Sequence, residues 1–156
     1  MVIPGKDLIF IPFNVPSSKN SRVISSGKGS FHSPAVSKYL QKIGVKSYSS
    51  SKKTMEDYKT KTRPNLFRQS LKDVNFKDYT PLILGYHPVR KTKTKFDLHN
   101  VFQIIGDLLT AGGYIEDDNM ECLVPIPFKI DGKYYTHNPE NPGMYLKVLN
   151  NKTIKY

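Results

Sequence analysis

An apolar run at the start of the chain predicts a strand. Residues 7–15 (DLIFIPFNV) are rich in β-branched and aromatic side chains, and Pro16 with the polar run after it ends the segment. This pattern is typical of a strand that leads into a turn. A second extended stretch over residues 23–32 contains Gly27 and Gly29, which predicts a hairpin whose glycine turn displays a basic loop around Lys28.

A helical pattern begins at Ser33 and Pro34. Serine can cap a helix, and proline at the first helical position loses no needed hydrogen bond. Apolar residues then recur at helical spacing at Val36, Tyr39, Leu40 and Ile43. Residues 45–65 consist mainly of Ser, Lys and Thr. We therefore expect the helix to break there, or to lengthen into a mobile arm, before an apolar pattern resumes near Leu66.

A strand pattern opens the second half of the chain. Residues 80–90 (TPLILGYHPVR) form an apolar run that predicts a buried strand. Residues 91–95 (KTKTK) keep the same extended period. Lys91, Lys93 and Lys95 are therefore expected to project from one side of the strand end.

The clearest helical pattern of the chain begins at Leu98. Its apolar face comprises Leu98, Val101, Phe102, Ile105, Leu108 and Leu109. Gly112 and Gly113 supply the stop signal. Residues 120–130 and 143–151 then predict strands around a turn-rich segment at 131–143.

These patterns together predict an α+β protein. A chain of 156 residues is long enough to bury a real core as one domain. We expect a single domain over residues 1–156, with a mixed sheet of about four to five strands and two main helices. The Ser/Lys-rich residues 45–65 would be an insertion or a helix extension.

Charge and cysteine content narrow the possible functions. Lysine and arginine total 24 against 13 acids, and the formal charge of +11 attracts polyanions. Nucleic acid is the first expected partner, although a lysine-rich composition selected for solubility would give the same excess. Cys122 is the single cysteine, which excludes an intramolecular disulfide and a multi-cysteine zinc site. Its apolar surroundings predict a buried, inert role.

No membrane or secretory segment is expected from the sequence. The N-terminal residues mix charged and apolar side chains and lack the long apolar core of a signal peptide. Apolar stretches stay shorter than the roughly 18 residues of a membrane span. We therefore expect no membrane contact and a cytoplasmic location.

Acidic residues cluster in one part of this basic chain. Six of the thirteen lie between Asp97 and Glu121, namely Asp97, Asp107, Glu116, Asp117, Asp118 and Glu121. Hard divalent cations prefer oxygen ligands, and a metal bound beside a cationic surface would meet a phosphate. The cluster therefore predicts phosphodiester cleavage assisted by a metal ion.

The spacing of the acids suggests how they would meet. If the strand after the helix pairs beside the strand before it, the return through the glycines would bring Asp117 and Asp118 toward Asp97. These carboxylates would then share an ion. The alternative is that Asp97 merely caps the helix and that residues 116–118 form a solvated turn.

Residues 91–120 resemble the core signature of the RusA family of Holliday junction resolvases. In that signature, basic residues precede Asp-x-Asp-Asn, a helix carries a lysine one turn later, and an Asp-Asp pair follows a short aromatic strand. The match runs without a gap, at Asp97, Leu98, Asn100, Asp107, Leu109, Gly113, Tyr114, Asp117 and Asp118. Residues 12–22 and 31–40 also resemble the opening strand, turn and hairpin of the family, so a RusA-like fold is implied.

The resemblance implies a role for each matching residue. Asp97 and Asp118 would bind the metal ion, with Asp117 close by, and Asn100 would be a positioning residue. His99 occupies the place of the second aspartate, and Gln103 the place of the lysine. A histidine ligand is neutral and softer than a carboxylate, so we expect weaker Mg²⁺ affinity and a relative preference for Mn²⁺. The catalytic set is then Asp97, His99, Asn100, Asp117 and Asp118.

The resemblance also implies the substrate and the assembly. The expected activity is Mg²⁺- or Mn²⁺-dependent hydrolysis of four-way DNA junctions during recombination, repair or replication, in a bacterial cytoplasm or a phage-infected cell. A homodimer is implied, and it suits two symmetric nicks, which need two active sites related by a two-fold axis. The residues expected to bind DNA are Lys19, Asn20, Arg22, Lys28, Lys91, Lys93, Lys95 and Gln103.

Two other functions remain open from the sequence. The substitutions at His99 and Gln103 suit a catalytically weakened protein that binds junctions or single-stranded DNA through basic loops and tyrosines. A nuclease for flaps or other DNA structures would keep the same metal site and change only the substrate.

Overall fold

The computed structural model describes residues 8–16, 22–25, 29–32, 34–59, 62–96 and 98–150, with the backbone alone at 22–25, 29–32, 98 and 99. The strands are β1 (Leu8–Pro12), β2 (Arg22–Ser25), β3 (Gly29–His32), β4 (Val45–Ser49), β5 (Thr54–Asp57), β6 (Leu82–Arg90), β7 (Leu123–Pro127), β8 (Thr136–His137) and β9 (Gly143–Val148). The helices are α1 (Pro34–Ile43), α2 (Leu66–Leu71) and α3 (Leu98–Ala111), and a 3-10 turn covers Phe76–Asp78.

A mixed five-stranded sheet forms the centre of the fold. Its strand order is β1-β9-β6-β7, and the short β8 also pairs with β6. Strand β9 runs antiparallel to β1 and β6, whereas β7 and β8 run parallel to β6. Because β6 has partners on both edges and is buried along nearly its whole length, its sequence is an almost continuous apolar run. The predicted α+β class with a mixed sheet is confirmed.

Helix α3 connects the parallel strands β6 and β7. Its inward side chains Val101, Ile104, Ile105, Leu108 and Leu109 are completely buried. The helix ends as the glycine stop predicts, because Gly113 adopts a left-handed φ of 78°. Within the described residues, no helix is long and apolar enough to span a bilayer.

Two antiparallel hairpins are separate from the central sheet. Strands β2 and β3 pair from Arg22 opposite His32 to Ser25 opposite Gly29, which confirms the first predicted hairpin; Lys28 in its turn lies outside the described residues. Strands β4 and β5 form the second hairpin. It contacts α3.

Of the two alternatives for residues 45–65, the break of the helix is confirmed, and its extension into a mobile arm is wrong. Helix α1 ends at Ile43, and Gly44, with a φ of 81°, turns the chain directly into β4. Val45 and Tyr48 are both buried in the core, although they are three residues apart. A register irregularity between Val45 and Ser47 lets both side chains face the same side of the strand. The abundance of Ser and Lys concealed these two core positions.

The extended strand predicted through residues 91–95 is also wrong. Strand β6 ends at Arg90, and the chain bends at Lys91 and Thr92. The neighbouring strands end at the same level, since β9 begins opposite Val89 and β8 ends opposite Arg90. Without a partner on either edge, the strand has no ladder of hydrogen bonds to continue.

Candidate metal centre

The outer side of helix α3 carries the polar residues of the predicted motif. Asn100, Gln103 and Asp107 are spaced by three and four residues, so they lie on one stripe of the helix. Gln103 is exposed, and Asn100 and Asp107 are half-buried. The stripe therefore presents two amide groups and one carboxylate along one side of α3.

The loop after α3 folds back along the helix. The backbone N–H groups of Tyr114 and Ile115 both donate to the carbonyl of Leu109, over 2.9 and 3.4 Å. The Tyr114 ring also meets the edges of Phe67 and Phe76, each with its centroid 6.1 Å away. Residues 114–119 form no strand, in contrast to the short aromatic strand of the resembled signature.

Local hydrogen bonds fix the conformation of residues 116–121, which we call the acidic loop. The N–H of Asp118 donates to Asp117 Oδ1 over 2.8 Å, and Asn119 Nδ2 donates to Asp117 Oδ2 over 3.2 Å. The N–H of Glu121 donates to Asn119 Oδ1 over 3.0 Å. Side chains of Asp and Asn stabilise turns by such bonds to nearby backbone groups. The solvated turn is thus part of the observed structure, and it orients Asp117.

Asp118 lies against the middle of helix α3. Its Cβ is 3.8 Å from the position that a Cβ on Gly106 would occupy, and its carboxyl group also interacts with Asp107. The sequence places Asp107 within the acidic cluster but gives it no role as a ligand. Its position on α3, one turn after Gln103, is the signal that adds it to the site.

The two adjacent aspartates have opposite electrostatic environments. The N–H of Asp118 lowers the pKa of Asp117, and the side chains of Asp118 and Asn119 and the charge of Lys53 act in the same direction. Burial raises the pKa of Asp118, and its hydrogen bond with Asp117 and the negative charge of Asp117 raise it further. Asp118 is thus a partly desolvated carboxyl group among other acids.

Lys53 reaches the acidic loop from the turn of the β4/β5 hairpin. A cavity of about 420 Å³ lies between this turn and the loop, and Lys53, Lys77, Tyr114 and Cys122 contribute to its wall. Cys122 is half-buried and lines this cavity. It is therefore not the buried filler that its apolar neighbours in the sequence predict.

The structure brings together part of the predicted ligand set. Asp117 and Asp118 are adjacent, and Asp107 interacts with Asp118. Asp97 and the side chain of His99 lie outside the described residues. Leu98 and Gly106 are separated by eight residues, which corresponds to about 12 Å along a helix axis. Asp118 is therefore about two turns from the start of α3. That Asp97 and Asp118 share one ion stays a prediction.

Carboxylate oxygens fit a hard divalent cation better than a soft one. Asp118 interacts with both Asp107 and Asp117. Among the residues whose side chains are described, no group of three or more His, Cys, Asp or Glu is arranged to hold a metal ion. Carboxylates are the donors that Mg²⁺ or Mn²⁺ prefers, but the described side chains do not by themselves form a metal site.

The residues expected to contact DNA are only partly described. Lys91, Lys93 and Lys95 are all exposed, and the N–H of Lys91 donates to Asn14 Oδ1 over 2.9 Å. This bond ties the basic segment to the chain end of β1. Arg22 lies in β2 with its backbone alone described, and Lys19, Asn20 and Lys28 lie outside the described residues.

Comparison with known proteins leaves the family unassigned. No family model matches the chain. No curated protein and no solved structure matches it either. The likeness to RusA resolvases therefore rests on the residues of this sequence.

Proposed function

We propose that this protein is a divalent-metal-dependent endonuclease for branched DNA. The observation that supports the proposal is the contact between Asp118 and helix α3, the helix that begins at the Asp97-x-His99-Asn100 motif. Asp118 is thereby held against the same helix whose N-terminal motif supplies the other proposed ligands. The charge of +11 would bring DNA to these acids.

Asp97 and Asp118 are the proposed principal ligands, and His99 and Asp117 are the proposed additional ones. A bound divalent ion would polarise the scissile phosphate and lower the pKa of an attacking water. The N–H of Asp118 lowers the pKa of Asp117, which favours the ionised carboxylate that a cation binds. Asn100 and Gln103 on the same helix offer amide groups that can donate hydrogen bonds to phosphate oxygens.

The basic segment Lys91 to Lys95 would bind the DNA backbone beside the metal centre. Its three lysines are exposed and directly precede Phe96 and Asp97. Lysines that neutralise phosphates release counterions, so this contribution to binding should fall steeply with salt. A homodimer would place two such centres on a four-way junction, and analytical ultracentrifugation at increasing protein concentration tests that assembly.

A cleavage assay on a labelled four-way junction tests the function. We expect the wild-type protein to nick the junction with Mg²⁺ or Mn²⁺, and we expect Asp97→Asn and Asp118→Asn to bind it without cleavage. Asp73→Asn is the matched control, because Asp73 is an exposed acid beyond the end of α2. Absence of product with either metal, or full activity in both variants, would contradict the proposal. Parallel reactions on a flap and a plain duplex identify the preferred structure.

A junction-binding protein without cleavage activity is the second candidate. The specific observation in its favour is the pair His99 and Gln103, which stand where the resembled signature has an aspartate and a lysine. The variant His99→Asp separates the two functions. A gain of Mg²⁺-dependent cleavage in this variant, together with none in the wild type, would favour the binding protein.

A further inference from the structure

An exposed aromatic and basic groove lies beside the entrance to helix α3. The segment 93–96 and the loop 130–137 enclose two adjoining cavities, of about 400 and 650 Å³. Lys93 and Tyr135 line both cavities, which makes them parts of one groove. We call this surface the tyrosine groove and define it by Lys93, Lys95, Phe96, Lys133, Tyr134 and Tyr135.

Two neighbouring tyrosines are exposed in the tyrosine groove. Tyr134 is 50% exposed and Tyr135 is 39% exposed, whereas the large apolar side chains of the core are almost fully buried. Tyrosine presents an apolar ring face and a polar hydroxyl, which suits a surface that contacts a ligand. Lys129 Nζ lies 5.3 Å from the centroid of Tyr134. The ring is thus flanked by a cation and remains half open to solvent.

Phe96 and Arg90 hold the ring of Tyr135 in place. The ring of Tyr135 meets Phe96 nearly edge to face, with centroids 5.5 Å apart and planes at 83°. The Arg90 guanidinium lies 4.5 Å from the centroid of Phe96 and also donates to the carbonyl of Val15. Arg90 is only 7% exposed. This stack, anchored on the buried Arg90, holds the Tyr135 ring in place.

The loop that carries the tyrosines has a defined backbone. Ile130 and Lys133 exchange two backbone hydrogen bonds of 2.9 and 3.1 Å across Asp131 and Gly132, whose φ angles are 52° and 79°. Two consecutive positive φ angles are typical of the tight turn of a hairpin. Immediately after the tyrosines, Thr136 pairs with Val89 of β6. The tyrosines are therefore presented between two anchored points.

The charge of the groove favours an anionic ligand. Lys93, Lys95 and Lys133 are exposed around the tyrosines, and Asp131 is the acid among the described residues that line the two cavities. Aromatic faces that stack on bases, combined with cations that bind phosphates, are the features of surfaces for single-stranded nucleic acid. Paired bases inside a duplex have no free faces for such stacking.

We propose that the tyrosine groove binds unpaired DNA, with bases stacked on Tyr134 and Tyr135 and with phosphates bound by Lys93, Lys95 and Lys133. This proposal rests on the proposed function in one respect: Phe96 of the groove directly precedes Asp97, the proposed metal ligand. An opened base pair at a branch point exposes base faces, so a base held in the groove would place the branch point beside the start of α3.

Fluorescence anisotropy with a labelled oligothymidine tests the tyrosine groove directly. The measurement is made with EDTA present, so that it requires no cleavage. We expect Tyr134→Ala/Tyr135→Ala to weaken binding by about 5- to 150-fold for each base that stacks. The double substitution to Phe keeps both rings and should restore affinity to within about twofold. Binding of a fully paired duplex should change much less than binding of the single strand.

Tyr58→Ala is the matched control, because Tyr58 also has a cation over its ring, Arg63 at 5.0 Å, but lies outside the groove. Equal single-strand affinity of the wild type and the double alanine variant would overturn the inference, as would an equal loss for duplex. Circular dichroism establishes that the variants are folded. The result is independent of cleavage: a groove that binds in a protein that never cuts would overturn only the nuclease proposal.

Discussion

Asp118 packs against Gly106, with its Cβ 3.8 Å from the place that a side chain at residue 106 would begin. This contact fixes the height of the acidic loop along α3. Leu123 and Phe102 approach the same position at equal distance. The glycine thus lies under the loop, at a position where an additional methyl group would still fit.

Gly106→Ala should stabilise the protein by about 0.5 to 1 kcal/mol, because glycine is unfavourable inside a helix and the added Cβ meets only ordinary contact distances. Urea unfolding measures the change. Gly44→Ala is the contrasting control, since its Cβ would lie 1.9 Å from the Pro64 carbonyl oxygen at a φ of 81°. We expect it to destabilise by more than about 1 kcal/mol. A loss of stability in Gly106→Ala would show that the loop leaves no room for a methyl group at residue 106.

Asp118→Asn should change stability and activity in opposite directions. In the absence of metal, removing the charge at residue 118 should raise the free energy of unfolding at neutral pH, because burial and the negative charge of Asp117 both disfavour an ionised Asp118. Cleavage should fall by more than about 100-fold, since loss of residues behind metal ligands already costs about 10- to 100-fold. Thermal unfolding in EDTA and the junction assay provide the two readouts. Reduced stability together with reduced activity would indicate a structural role instead.

Lysines of the tyrosine groove should set part of the salt dependence of DNA binding. Each lysine that contacts a phosphate of single-stranded DNA contributes about 0.7 to the slope of log affinity against log salt concentration. Lys93→Gln and Lys133→Gln should each lower that slope by about this amount. Lys147→Gln is the control, because Lys147 lies in β9 opposite Leu8 and Gly85. An unchanged slope in both groove variants would remove these lysines from the DNA contact.

His87 is completely buried in strand β6 and is held by two hydrogen bonds. Its Nδ1–H donates to the carbonyl of Phe128 over 2.9 Å, and its Nε2 accepts from the hydroxyl of Thr136 over 2.7 Å. Desolvation lowers the pKa of His87, opposed by the bond to Phe128. The rings of Phe128 and Tyr145 also face it. The folded state therefore favours the neutral imidazole.

The free energy of unfolding should rise with pH below the ordinary histidine pKa of about 6.5. In that window the unfolded chain binds more protons than the folded one, so acid favours unfolding until the lowered folded-state pKa is passed. Urea unfolding between about pH 5 and pH 8 measures the slope, and His87→Gln should flatten it. His137→Gln is the control for removing a histidine at an exposed position. An identical slope in His87→Gln would assign the effect to other groups.

Much of the fold follows from local patterns in the sequence. The buried run of β6, the apolar face of α3 and its glycine stop all act within a few residues, and each appears in the structure as predicted. The β2/β3 hairpin follows from its glycines in the same way. These elements depend on periodicity and on backbone conformation, which a single sequence displays.

The wrong predictions concern features that depend on distant partners. Val45 and Tyr48 become core residues only through a strand irregularity and through contact of the hairpin with α3. The end of β6 at Arg90 depends on where β8 and β9 end. The contact of Asp107 with Asp118 depends on how the loop returns along the helix. Composition and spacing carry none of this information.

Strand β6 pairs with β7 near its beginning and with β8 near its end. The strand that follows the acidic loop begins to pair with β6 at Leu82, and the strand that follows the two tyrosines begins to pair with it at Val89. Seven residues of extended chain correspond to about 23 Å, close to the length of seven nucleotides in one strand of B-form DNA. One stiff strand therefore acts as a spacer between two loops, and any lengthening of β6 would change the distance between the proposed metal centre and the tyrosine groove.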